Sequence, residues 1–494
     1  MTSVCWRATL CTLILAGGLA CSPPEPPAEP VDIVLLLVNE LRADPPGERG
    51  AEHALLRGLG RKPALRFEAA YTQSVDKHVA LGALMTGRYP SAIPLCGVPH
   101  GASVEELPPC STLPEDMTTL PEVLELYGYH TALFSTDLSR AEQLAADFDV
   151  VVDFSQGGGQ AERWAALEAA AAEWWEDQDS EPRLLVISSS VENSVLRDGY
   201  RAAIDRYPYS ATELEDWRER ADPKAVVRVL DYPSWPLASE RAIRQIRELY
   251  EQVAEAHGER SRRLIHMLEH GADDAREPSR PLWTIVTSLR GLSLGEYEGT
   301  QSPEQSSPGT TLLLMDRNVR VPLVIAPPDG VLRTRGVEHP VQIVDLLPTV
   351  CRMVGAVPPA GAVGHDLFSQ ATTPPDEASA YMEFGDMLAL RKGPYLLRFR
   401  FQRHGMSSID PRLTEWLIQQ DLGSQLGRGP SYMLHDVVAD PFERYELGPR
   451  RMETLLALRD RLIWIRTHEG APPSSLLEDQ GMESFLQRKA MHYW

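Results

Sequence analysis

Three scarcities bound what this 494-residue chain does. Basic residues are outnumbered, 48 against 70 acidic ones, and a formal net charge of -22 gives an average field that repels nucleic acid and anionic lipid. Long apolar runs are missing too: Ala8–Ala20, which follows a lone positive charge at Arg7, is too short to span a bilayer comfortably. It reads as a cleaved export signal, with a short buried helix as the other reading. Cysteine is sparse: of six, three fall in the first 21 positions, leaving Cys96, Cys110 and Cys351 for the folded body. Cys96 and Cys110 with His100 lack a fourth ligand for a metal site. They flank a Pro/Gly-rich loop, where export permits a disulfide and two half-buried free thiols are the alternative. There is no internal repeat.

What is present is ample for a globular body, since 43% of the residues are hydrophobic and the length exceeds what one minimal core needs. Residues 31–38 (VDIVLLLV) form a near-continuous aliphatic run, the pattern of a strand buried on both faces of a parallel sheet. Similar runs recur at His130–Ser135, Arg183–Ser188, Leu282–Ser288 and Val321–Ala326. Helical stretches separate them at Leu120–Tyr127, Ala161–Glu176, Ser239–Glu269 and Ile343–Val354, the first and last closed by Gly128 and Gly355. Alternating strand and helix predict an α/β fold, a mostly parallel central sheet flanked by helices over residues 31–375. Beyond that, Tyr395–Phe401 alternates with polar residues and Arg450–Ile465 reads as a helix, so residues 376–494 are expected to form a smaller antiparallel sheet with a covering helix, and a tail. Trp164, Trp174 and Trp175 read as core packing, His78 as structural, and Arg260–Arg263 as a solvated helix face.

At the N-terminus, Leu19-Ala20-Cys21 resembles the end of a bacterial lipoprotein signal, although Gly18 stands where an aliphatic residue is usual. The resemblance implies a signal peptide over 1–20, a lipidated Cys21 and a Pro-rich tether over 21–30 that cannot pack a core. Ser22 in place of an aspartate favours the outer membrane of the cell envelope.

Five segments taken together, over residues 31–468, resemble the sulfatase family of the alkaline-phosphatase superfamily. Residues 31–47 resemble its opening strand and Asp-Asp-x-Arg-x-Asp turn: Arg42 and Asp44 match, while Asn39 and Glu40 stand at two metal-binding aspartates. Residues 74–90 have the frame of the nucleophile segment, with Lys77 at the cysteine that the family converts to formylglycine and Leu81 at its arginine. Residues 119–132 resemble the helix-Gly-Tyr-x-Thr-Ala strand entry. At the fourth segment the family's Ser-Asp-His-Gly reads Ser288-Leu289-Arg290-Gly291, so the second pair of metal ligands is replaced. Residues 320–325, 345–350 and 434–443 match later structural signatures, while a customary lysine falls on Thr311.

The resemblance implies a fold whose chemistry has been altered. A sulfatase site needs a hard divalent cation in an oxygen cage, and here Leu289 offers no ligand and Arg290 brings a positive charge. Lys77 cannot become formylglycine. The expectation is a pseudoenzyme with no catalytic residue, no cofactor and no metal, in which Lys77 or Arg290 acts as a built-in cation paired with Glu40 or Asp44. It would bind an anionic ligand, a sulfated or acidic glycan or another anion, or else a partner, in the inherited cleft, with Lys77, Arg290, Glu40 and Asp44 as ligand-binding candidates. It would meet the membrane through the N-terminal lipid. One rival is an active sulfuric or phosphoric ester hydrolase using Ser74 or Thr72, with Asp44, Asp76 and Glu40 holding calcium or another metal. A structural envelope lipoprotein is the other.

Overall fold

The computed structural model describes residues 29–44, 64–93, 117–136, 147–156, 158–178, 181–191, 240–271, 280–294, 314–328, 335–372, 378–384, 387–400 and 431–470, with isolated positions between them. Cys21, Cys96, Cys110 and Thr311 lie outside the described residues.

The first strand, β1 (Asp32–Asn39), is buried along its whole length. Ile33, Leu35 and Leu37 enter one core and Val34, Leu36 and Val38 another, as the two-residue period of a strand requires. Helices cover both faces. On the first lie α1 (Lys77–Thr86), α2 (Leu120–Glu125) and α5 (Leu346–Val354); on the second lie α3 (Gln160–Asp177) and the long α4 (Glu240–His270). Trp164, Trp174 and Trp175 fill the second core, so their apolar area serves packing.

Around β1 the chain assembles an eight-stranded sheet from β2 (Leu65–Phe67), β4 (His130–Ser135), β5 (Val150–Asp153), β6 (Arg183–Ser190), β7 (Leu282–Thr287), β9 (Leu323–Ala326) and β10 (Arg335–Val337). Its order is β10-β2-β9-β7-β1-β6-β4-β5. The run from β7 to β5 is parallel, and β9 is antiparallel to both β7 and β2. The single strand expected over Val321–Ala326 is divided by Pro322, which has no N–H to give a ladder. Its first part, β8 (Arg320–Val321), pairs instead with β3 (Ala70–Tyr71), which also pairs with β11 (Val341–Gln342).

Four antiparallel strands follow: β12 (Ser379–Phe384), β13 (Met387–Lys392), β14 (Tyr395–Arg400) and β15 (Ser431–Asp436). One face of this sheet receives Leu455, Leu458, Leu462 and Ile465 from α6 (Met452–Ile465). Its other face packs on Tyr71, Val75 and Val319 of the main body. The α/β class with a small antiparallel sheet is therefore the observed architecture.

Candidate functional site

Where parallel strands end, side chains from successive loops meet at one edge of the sheet. Here β1, β6 and β7 end side by side, with Asn39 level with Ser190 and Leu37 with Thr287. The residues just beyond are Glu40, Val191 and Ser288-Leu289-Arg290.

Glu40 is the centre of the cluster. Its backbone is left-handed, at φ 60°, which lets the chain turn sharply off β1 but costs a non-glycine residue about 1–2 kcal/mol. Tyr250 of α4 holds the turn: its hydroxyl donates to the Glu40 carbonyl at 2.8 Å and accepts from the Arg42 N–H at 2.9 Å. The carboxylate thus aimed is fully buried. Oε1 meets Lys77 Nζ at 3.2 Å, Arg290 Nη2 at 2.9 Å and Arg290 Nε at 3.0 Å, while Oε2 accepts from the Ser190 hydroxyl. Burial by itself pushes the Glu40 carboxyl up, but Lys77 and Arg290, helped by Ser190, hold it below the usual carboxylate range.

The two cations reach Glu40 from different elements. Lys77 is the first residue of α1, whose N-cap Asp76 accepts from the N–H groups of His78 and Val79 at 2.9 and 3.4 Å. A cation in a first helical turn faces the positive end of the helix dipole, worth about 0.3–1 kcal/mol against it, and Glu40 offsets that. Arg290 follows β7 and also donates to the Val75 carbonyl at 3.4 Å. Gly291 fixes its direction: a Cβ there would stand 2.1 Å from the Arg317 carbonyl oxygen, so only glycine fits. The side chains of Lys77 and Arg290 are 28% and 16% exposed, while the carboxylate they meet is fully buried.

The other positions singled out in the sequence have different surroundings. Asn39 is buried, donating to the Ser188 hydroxyl at 3.3 Å and accepting from Leu289 N–H at 3.3 Å. Leu289 and Leu81 are buried apolar side chains of the first core. Asp44 is bound to Arg317 at 3.2 Å and to Arg320, both also buried, whereas the cations at Glu40 are Lys77 and Arg290. Thr72 donates to the Leu289 carbonyl at 2.7 Å, and Ser74 accepts from Asp76 N–H at 3.2 Å. Among the described residues no three His, Cys, Asp or Glu side chains gather as a metal cluster. A cleft of about 1290 Å³ opens beside Asp44, lined by Arg66, Glu68, Arg320, Arg391 and Lys392 among others; Glu40, Lys77 and Arg290 are not part of its wall.

Ser190, Tyr250, Arg317 and Arg320 escape a reading of the sequence. Ser190 carries a faint signal, since it ends the Ser188-Ser189-Ser190 run at a strand terminus. Tyr250 carries none, because its partner is 210 positions away. Next to the cluster, Ser189 shares a hydrogen bond of 2.9 Å with His257 Nε2, and the His257 ring stands edge-on to Trp164. Burial pushes that imidazole down to about 4, with Arg260 acting in the same direction.

No family model and no curated protein matches the chain. Solved structures do. A 2-O GAG sulfatase aligns over 89% of this chain and 93% of its own, with a TM-score of 0.61 at 16% identity. A phosphonate monoester hydrolase from Silicibacter pomeroyi aligns over 90% and 97%, with a TM-score of 0.60 at 16% identity. A third structure, solved in complex with its substrate D-glucosamine-2-N,6-O-disulfate, aligns over 89% and 98%, with a TM-score of 0.58 at 14% identity. At such identities the likeness speaks for the fold alone, and the chain carries the fold seen in these sulfatase and phosphonate monoester hydrolase structures.

Proposed function

We propose that this is an exported, lipid-anchored protein that uses a sulfatase fold to bind an anionic ligand without hydrolysing it. The observation that carries the proposal is the meeting of two cations, Lys77 and Arg290, on the single carboxylate of Glu40. Both cations belong to side chains that are partly exposed, within an otherwise acidic molecule. Arginine in particular offers the paired donors that suit sulfate and carboxylate.

The residues present do not fit the calcium ion that such a fold implies. A hard divalent cation wants six or more oxygens. Both Glu40 oxygens are already engaged, the Asn39 amide oxygen accepts from Leu289 N–H, Leu289 is aliphatic, and Arg290 carries the charge a metal would supply. An ammonium at Lys77 paired with Glu40 has no lone pair with which to attack an ester. The ester-hydrolase reading needs Glu40 and Asp44 free for metal, and each is held by two cations. Sulfated or acidic glycan is the ligand class we favour, since one structural neighbour is bound to a disulfated sugar. Export and anchoring rest on the Cys21 segment; among the described residues no helix is long and apolar enough to cross a membrane.

Thermal unfolding of the purified chain with sulfate, phosphate, and sulfated or carboxylated sugars tests this reading. A ligand at a hundred times its dissociation constant stabilises by about 2.7 kcal/mol, and Arg290→Ala should abolish the shift. A chelator-sensitive turnover of aryl sulfate or aryl phosphate would establish the hydrolase instead. No shift with any anion would leave a structural envelope protein.

A further inference from the structure

The edge of the sheet opposite Glu40 carries an exposed apolar patch. Leu126 and Val357 are 82% and 75% exposed, more than any other large hydrophobic side chain among the described residues, and Tyr127 is 45% exposed. They adjoin: the Tyr127 hydroxyl accepts from Val357 N–H at 3.3 Å. Two prolines, Pro358 and Pro359, continue the apolar stretch. The exposed apolar surface is gathered from two segments, 126–127 and 357–359, that meet through this hydrogen bond.

Register places this patch beside the point where the chain enters the sheet. His130 is level with Arg183, and Leu184 with Ile33, so the start of β4 lies level with Asp32 two strand spacings away, about 10 Å. Leu126 and Tyr127 immediately precede β4, and the chain reaches the surface at the exposed Glu29 and Pro30. From Cys21 to Glu29 the backbone spans at most about 28 Å, so a lipid on Cys21 keeps the attachment point at this edge within that distance of the bilayer. The eight residues of β1 put Glu40 about 25 Å further away, at the far edge.

We propose that Leu126, Tyr127 and Val357 form a membrane-resting face that seats in the headgroup region of a zwitterionic bilayer beside the lipid anchor, turning the Glu40 edge outward. The inference rests on the anchored reading of Cys21. Three apolar side chains bind a membrane weakly alone, but a tether converts the contact into an intramolecular one. The acidic body, with Glu125 next to Leu126, disfavours an anionic surface, which is why the partner is a neutral lipid headgroup.

The experiment uses the full-length protein purified from a lipoprotein-processing bacterium and reconstituted in phosphatidylcholine vesicles containing a photoactivatable phospholipid. Flotation reads attachment, and peptide mapping of the floated fraction reads the face. The expected result is labelling within 126–127 and 357–359, falling by about tenfold in Leu126→Glu/Val357→Glu while flotation and thermal unfolding are unchanged. Floated protein labelled instead on Leu456 and Trp464 of α6, or on no folded segment, overturns the face while leaving the anchor. Protein that does not float overturns the anchor and the face with it.

Discussion

Glu40 concentrates the account at the scale of a single residue: a strained backbone, a fully buried charge and two cations on one oxygen. Removing one partner of a buried ion pair costs about 3–5 kcal/mol, because the other is left without compensation. Arg290→Ala should therefore destabilise by about 3 kcal/mol. Lys77→Ala should cost about 1 kcal/mol, since the Lys77 side chain is the more exposed of the two and better screened by solvent. Urea denaturation of both variants checks the order, and equal losses would mean that Glu40 is held otherwise. Tyr250→Phe removes a donor to one buried carbonyl and an acceptor for one buried N–H. It should cost about 2 kcal/mol and lower the thermal midpoint measured by circular dichroism.

At the scale of elements, the aliphatic strands were legible because a strand buried on both faces needs nothing but apolar residues, as Ile33–Val38 shows. The helices α3 and α4 fall within a residue or two of their expected bounds. What escaped were short segments whose partners are distant. Leu65–Phe67 is three residues long and is a strand because Val324 and Ile325 pair with it on one side and Arg335–Val337 on the other. At the site, Arg290 was legible through the strand before it and Gly291 after it, whereas the choice of Glu40 over Asp44 was not. That choice depends on Arg317 and Arg320, which saturate Asp44 from a segment far along the chain. Gly291 belongs to this scale as well. Gly291→Ala would drive a methyl group into the Arg317 carbonyl and separate β7 from the turn before β8, destabilising by about 3 kcal/mol. Differential scanning calorimetry reads this loss, and an unchanged midpoint would show that the two segments are free to part.

The whole molecule is tied together by buried charge. Asp44 and Asp316 bind Arg320; Asp316 accepts from Tyr71, on which Arg391 donates at 2.8 Å; and the Glu443 carboxylate bridges Asp316 N–H and Arg398. This network runs from the loop after β1 to three strands of the small sheet, since Arg398 also meets His435 at 3.2 Å. Histidines buried in such surroundings make stability depend on pH. Burial lowers His257 to about 4 and His435 to about 3, from 6.5. The unfolded chain therefore takes up protons that the folded chain refuses as pH falls below 6.5, and stability declines until the folded values are reached. His257 contributes up to about 3 kcal/mol to that loss and His435 up to about 5 kcal/mol. His257→Gln, which keeps a partner for Ser189, should flatten the fall of the thermal midpoint between pH 6.5 and 4 without touching its value at pH 8. Glu40 acts lower still. Its stabilisation is complete above the unfolded value of 4.5 and disappears as pH drops through its depressed folded value.

The most direct measurement of the central claim, that fixed side-chain cations occupy the place of a metal, is a crystal structure of the protein soaked in calcium and, separately, in sulfate. The account predicts Lys77 and Arg290 on Glu40 in both, with no cation there and with sulfate seated on their solvent face. A calcium ion bound to Glu40 and Asn39, with Lys77 and Arg290 turned away, would contradict it.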